Sequence, residues 1–331
     1  MSYETGTDMI IARMHSEMHK MKLGLGVIVE VSLLLALACT QNPDEALISA
    51  ANSTPAETCP AKTATATRLR FGVIRYGSST YIHAGYEPLV RYLQEHLGMP
   101  VDLVVVEHYD SIVSALARRE MDLAFLTPVA YVKAKEKDTC LQTLATRVQD
   151  GAFHYAGYVV TRRDAGFSDL RQLAGKRIAL VAPSSASGYV FPMQQMIAAG
   201  LDPKKDFANI LFVGDHSAVL RAVVEGRADA GATWSKALQI EGQAGLDIGS
   251  LQILGITGHI PNDVMVARSD LDSVLIARVM TIMLGLNTMT DKGREALSLM
   301  FDVNGFVAVD DAFYDSVRQT MSALRRAGVS L

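Results

Sequence analysis

Pro183-Ser184-Ser185-Ala186-Ser187-Gly188 packs hydroxyl side chains and a glycine into six residues, directly after the apolar run Arg177-Ile178-Ala179-Leu180-Val181 and before an apolar helical pattern. A buried strand that ends in such a loop and re-enters as a helix leaves backbone N–H groups open, beside the hydroxyls of Ser185 and Ser187 and the bare backbone of Gly188. That chemistry suits a small oxyanion. Two further polar groups stand at corresponding points of the pattern: His216 in Gly214-Asp215-His216-Ser217, and Asp229 in Ala228-Asp229-Ala230. One helix cap needs only one hydroxyl, so the density of serines favours a ligand site over capping alone. An aspartate entering an apolar strand is costly without a partner, and a protonated ligand oxygen would supply one to Asp229. Earlier in the chain, Ser79 and Tyr81 after the first apolar run, and Thr127 before Pro128, are weaker contributors to the same cleft.

Ser187, His216 and Asp229 are also the residue types of a hydrolase triad. The Gly-x-Ser-x-Gly elbow is missing, because Ser185 occupies its first glycine position, and the chain order Ser, His, Asp is not that of α/β-hydrolases. No Walker loop, dinucleotide glycine fingerprint or Cys/His metal spacing appears, so no cofactor, metal or catalytic activity is expected.

These residues need elements to hold them. Arg70–Ile74, Val101–Val106 and Asp122–Leu126 are short apolar runs that read as buried strands, separated by helical patterns such as Leu89, Leu93 and Leu97 before Gly98. The rhythm restarts at Arg177, with strands at Ile210–Val213 and Asp229–Ala232 and helices closing at Gly200 and Gly226. Two β-α-β series predict two lobes of an α/β fold, with ligand between the carboxyl ends of their strands. With 49% hydrophobic and 20% charged residues the chain can fill two cores, and a net charge of −4 gives no electrostatic footprint for nucleic acid.

Residues 1–38 read as a signal peptide: Lys20 and Lys22 precede the apolar stretch Leu23–Ala38, and Met21 is an alternative start. Leu35-Ala36-Leu37-Ala38-Cys39 resembles a lipobox, which would place lipid on Cys39; ordinary secretory cleavage near Ala38 is the other reading. Residues 39–67, rich in Ala, Thr, Ser and Pro, then form a flexible tether. Cys59 and Cys140 either pair in the oxidising compartment or stay free, and both readings stand.

Taken in order, Arg70-Phe71-Gly72-Val73, Glu87–Gly98, Arg119–Phe125, the Pro-x-Ser-x-Ser-Gly loop and Gly226-Arg227-Ala228-Asp229-Ala230 resemble the periplasmic phosphonate/phosphite-binding proteins of ABC importers. The resemblance runs from about Leu69 to about Ala312 and implies the two-lobed type II solute-binding fold, each lobe a mostly parallel sheet flanked by helices. Residues 68–160 plus 255–331 would form lobe I and 161–254 lobe II, with Ala156–Arg162 and Val264–Arg268 crossing between them as hinges. It implies an oxyanion held by Ser185, Ser187, His216 and Asp229, and an ABC permease as partner of a lipid-anchored extracytoplasmic protein. A sensor subunit feeding a histidine kinase or chemoreceptor is the alternative. Two departures from the family pattern stand out: Ala186 replaces the usual threonine of the loop, and Leu126 stands where a tyrosine is usual.

Overall fold

A computed structural model describes residues 59–75, 79–300 and 302–331, with the backbone alone at 79–81. Cys39 and the leader lie outside the described residues. The chain opens with β1 (Leu69–Ile74), α1 (Ser79–Leu97), β2 (Val101–Val106), α2 (Tyr109–Ala117), β3 (Leu123–Leu126) and α3 (Pro128–Lys137). The strands coincide with the apolar runs, and α1 stops at Gly98, whose φ of 65° suits a residue without a side chain. Next come β4 (Gln142–Gln149), β5 (His154–Tyr155), β6 (Gly157–Arg162) and β7 (Arg177–Leu180). A π-helical turn (Ala186–Val190) leads into α4 (Phe191–Ala198), then β8 (Asn209–Phe212), α5 (His216–Val224), β9 (Ala230–Trp234) and α6 (Ala237–Gln243). The chain finishes with β10 (Leu251–Ile256), β11 (Ile260–Pro261), β12 (Val264–Ala267), α7 (Ser273–Gly285), α8 (Asp291–Leu297), β13 (Val303–Ala308) and α9 (Asp315–Arg326).

The strands form two main sheets, ordered β13-β4-β12-β3-β1-β2 and β10-β6-β9-β7-β8. The β-α-β series supply the parallel pairs, β1 with β2 and β3, and β7 with β8 and β9. The remaining neighbours run antiparallel, so both sheets are mixed rather than mostly parallel. Topology explains this. β6 joins the second sheet before its β-α-β series and β12 rejoins the first after its own, each lying antiparallel against a strand of that series without a crossover helix. The passages themselves are the short strands β5 and β11, which pair with each other. The segments expected as hinges, 156–162 and 264–268, instead lie almost wholly within β6 and β12, inside the two sheets.

Leu69, Phe71, Leu89, Leu93, Leu123 and Met265 fill the core of the first half. Val160, Ala179, Val219 and Val223 build a core in the second. A third cluster joins the halves, where Val317, Met321 and Leu324 of α9 pack with Tyr131 from the first and Met193 from the second. Each half is also clasped at the start of its strands. The Arg70 backbone N–H and guanidinium donate to the buried Asp122 carboxylate, and those of Arg177 donate to Asp229, both pairs 52 residues apart.

Cys59 and Cys140 form a disulfide across 81 residues, resolving the alternative left by the sequence. Residues 59–67, read as the end of the tether, dock on the body. Ala64 N–H donates to the Asp270 carbonyl at 3.0 Å, and Asp272 N–H to the Ala64 carbonyl at 3.0 Å.

Candidate functional site

A cavity of about 80 Å³ lies between the two sheets, lined by Thr127, Arg147, Ser185, Ser187, His216 and Asp263 among others. On a scale where one water occupies about 10–15 Å³, that admits on the order of six non-hydrogen atoms. A tetrahedral oxyanion with a short substituent is about that size.

Helix starts surround this space. Tyr109 opens α2, Thr127 is the N-cap of α3, Ser185 caps the π-helical turn and His216 opens α5. Each follows the carboxyl end of a parallel strand, so β-α topology aims all four at the gap between the sheets. The first N–H groups of each have no carbonyl one turn earlier, and the aligned peptide dipoles make these ends partially positive.

Ser185 and Ser187 therefore lie where the sequence placed them, both buried. The Ser185 hydroxyl accepts from Gly188 N–H at 3.1 Å, which holds the turn closed. Gly188 contributes by fit: a Cβ there would meet Val181 Cγ2 at 2.3 Å, so only glycine lets the turn pack against the residue that follows β7. Tyr109 and Tyr155 also face this space, hydrogen-bonded to Ser185 and Ser187 respectively. Burial pushes each phenol up to about 12, and the serine bonds only partly oppose it, so both remain protonated. Thr127 is the third hydroxyl. It makes no side-chain cap, and its buried Oγ1 has no hydrogen-bond partner among the described residues.

His216 lines the cavity with Nδ1 3.0 Å from the Thr233 hydroxyl and its ring 6.5 Å from that of Trp234. Burial lowers its pKa from 6.5 to about 4, so the imidazole is neutral at physiological pH. The sign of the pH effect follows. An unfolded chain takes up a proton near pH 6.5 that the folded one refuses, so stability is complete above pH 6.5 and declines as pH falls towards 4. At 1.36 kcal/mol per unit, the loss reaches at most about 3 kcal/mol. Thermal melts of the unliganded protein should fall through that window, and His216→Gln should flatten the slope; parallel slopes would place the effect elsewhere.

Asp229 is not brought to the cavity. It precedes β9, whereas the site lies beyond Trp234 at the other end, five residues and about 16 Å away at 3.3 Å per residue. Its carboxylate is instead occupied by Arg177, which holds its pKa below the usual range. The separation also dissolves the triad pattern, since His216 meets a threonine rather than a carboxylate. Ser79 and Tyr81 begin α1, and their side chains lie outside what the structure describes.

Sequence reasoning missed Arg147, Asn262 and Asp263. Antiparallel pairing of β4 with β12 brings them together, with Arg147 N–H donating to the Asp263 carbonyl at 3.2 Å and Asn262 Nδ2 to the Arg147 carbonyl at 3.0 Å. The Arg147 guanidinium forms an ion pair with the Asp263 carboxylate and lies 5.5 Å from the centre of the Phe125 ring. Their charges largely cancel, leaving helix ends, hydroxyls and the remaining N–H donors of the guanidinium to meet an anion.

Polar contacts also cross between the halves beside this site. The Lys133 ammonium donates to Asp110 at 3.1 Å and to Ser184 of the hydroxyl loop at 2.6 Å, and Ser184 donates to Asp110 at 3.1 Å. Farther out, Lys236 of the second half pairs with Asp150 and Asp302 of the first.

Known proteins share this fold. The chain is 27% identical over 259 residues to the phosphate-import protein PhnD of Mycolicibacterium smegmatis, covering 73% of this chain and 81% of that one. The structure of PhnD1 from Prochlorococcus marinus in complex with methylphosphonate superposes with a TM-score of 0.72 at 19% identity, over 78% of this chain and 98% of that one. A binding protein component of an ABC phosphonate transporter from Pseudomonas aeruginosa gives 0.71 at 19% identity, over 82% and 88%. The family described as "ABC transporter, phosphonate, periplasmic substrate-binding protein" matches residues 71–314, and with a match over that much of its length the chain belongs to it.

Proposed function

We propose that the protein captures a small phosphorus oxyanion, phosphate or a short phosphonate, and releases it unchanged to an ABC permease. The observation that carries this is the convergence of four helix starts on one small cavity, with the Thr127 hydroxyl buried there unpartnered. A buried hydroxyl without a partner costs free energy in the unliganded protein, and an oxyanion removes that cost. Asp263 takes the role first given to Asp229: a carboxylate on the wall accepts a hydrogen bond from a P–OH, which sulfate does not have near neutral pH. The phosphate-import relative supports a phosphorus ligand. A sensor role has no observation behind it. The lipid on Cys39 belongs to the same reading and would hold the body at the membrane through the segment before Cys59.

Calorimetric titration with phosphate, phosphite, methylphosphonate and sulfate tests the reading. Binding of a phosphorus anion in preference to sulfate supports it, and binding of none overturns it. Thr127→Val adds an unusual signature. It should raise the melting temperature of the unliganded protein and at the same time weaken phosphate or methylphosphonate by about 1–3 kcal/mol.

A further inference from the structure

We propose that Arg147 is a specificity-determining residue that excludes phosphonates with a cationic side chain, so that the site selects anions whose substituent is absent or uncharged. The inference deepens the oxyanion reading and rests on it.

Among the described residues lining the cavity, Asp263 is the one acidic side chain. An aminoalkyl phosphonate needs two complementary charges: donors for its oxyanion and a carboxylate for its ammonium. Here the carboxylate is already matched. The Arg147 guanidinium is ion-paired with it, and the two side chains are only 10% and 15% exposed. The pair is not a chance surface contact, because the same two residues are joined through their backbones and the guanidinium is backed by Phe125. Arg147 therefore stays in place when ligand enters, and its remaining N–H groups add to the attraction for anionic oxygen. An ammonium brought to Asp263 would have to displace the guanidinium or sit beside it, and both are unfavourable in a site sheltered from water. The rest of the wall offers an ammonium no charge: Ile74, Tyr155 and Trp234 are apolar or aromatic, and His216 is a neutral imidazole.

The test compares methylphosphonate with 2-aminoethylphosphonate by calorimetry on the mature protein, Arg147→Met and Arg147→Lys. The parent should prefer methylphosphonate by at least about tenfold. In Arg147→Met, Asp263 is released, so methylphosphonate should weaken while the aminoethyl compound gains, moving the ratio by about tenfold or more towards the amine. Arg147→Lys keeps a cation beside Asp263 and should retain the parental preference. A parent that prefers 2-aminoethylphosphonate overturns the proposal whether or not the variants fold, as does an unchanged ratio in a folded Arg147→Met. If the parent binds neither phosphonate nor phosphate, the oxyanion reading fails first and this one with it. If it binds phosphate and both phosphonates equally, the oxyanion reading survives and the role of Arg147 does not.

Discussion

Ser187→Asp is expected to lower affinity for phosphate or methylphosphonate by roughly a thousandfold, close to abolition in an ordinary titration. The residue is buried on the cavity wall, at the start of the π-helical turn, so a carboxylate there would meet the ligand's own charge at contact range. Two like charges 4 Å apart at an effective dielectric of 20 repel by about 4 kcal/mol, which is about three decades in affinity. Ser187→Asn controls for size without charge and should lose far less. The unliganded melts of both variants show how much of the effect is folding rather than binding. Equal losses for Asp and Asn would mean that the site is limited by shape and not by charge.

Breaking the disulfide is the second large effect, and it acts on stability rather than binding. Cys59 and Cys140 close a loop of 81 residues that contains α1, α2, α3 and the first three strands. In the chain-entropy account, a loop of that length restricts the unfolded chain enough to stabilise the folded one by about 4.5 kcal/mol. Cys59→Ser with Cys140→Ser should lower the urea midpoint accordingly, and dithiothreitol should reproduce the shift in the parent but not in the double variant. Ligand affinity should stay within a factor of about two, since neither cysteine lines the cavity. A midpoint unchanged by reduction would mean that the bridge contributes nothing to the body.

Local pattern made most of the scaffold legible. The apolar runs at Phe71 and Ile178 are strands because both faces of a sheet between helices are dry there, the run at Leu103 is the half-buried edge strand, and Gly98, Gly200 and Gly226 end their helices in left-handed backbone. Ser185, Ser187, Thr127 and His216 were legible for one reason: each stands at a strand-to-helix junction. The same rule applied to β2 would have found Tyr109. Asp229 misled because sequence shows that a polar residue borders a strand but not which end of that strand faces the cleft. Its twin Asp122, at the same spacing from Arg70, was the available sign that both aspartates are structural. Arg147 and Asp263 lay beyond local pattern, since they are 116 residues apart and meet only through β4 and β12.

The cross-contacts of Lys133 and Lys236 separate two properties that a single affinity value merges. On the proposed function, helix ends and the buried hydroxyls of Ser185 and Ser187 hold the anion, and dissolved salt screens buried groups less than exposed ones. Any parting of the halves would break the Ser184 hydrogen bonds to Lys133 and Asp110 and free Lys236 from Asp150 and Asp302. The Lys236 pairs involve carboxylates more than half exposed, within reach of mobile ions. If release takes that parting, residence time should fall as ionic strength rises, and dissociation rates measured at low and high salt check this. The cargo's dwell time inside the protein would then be set partly by the surrounding medium.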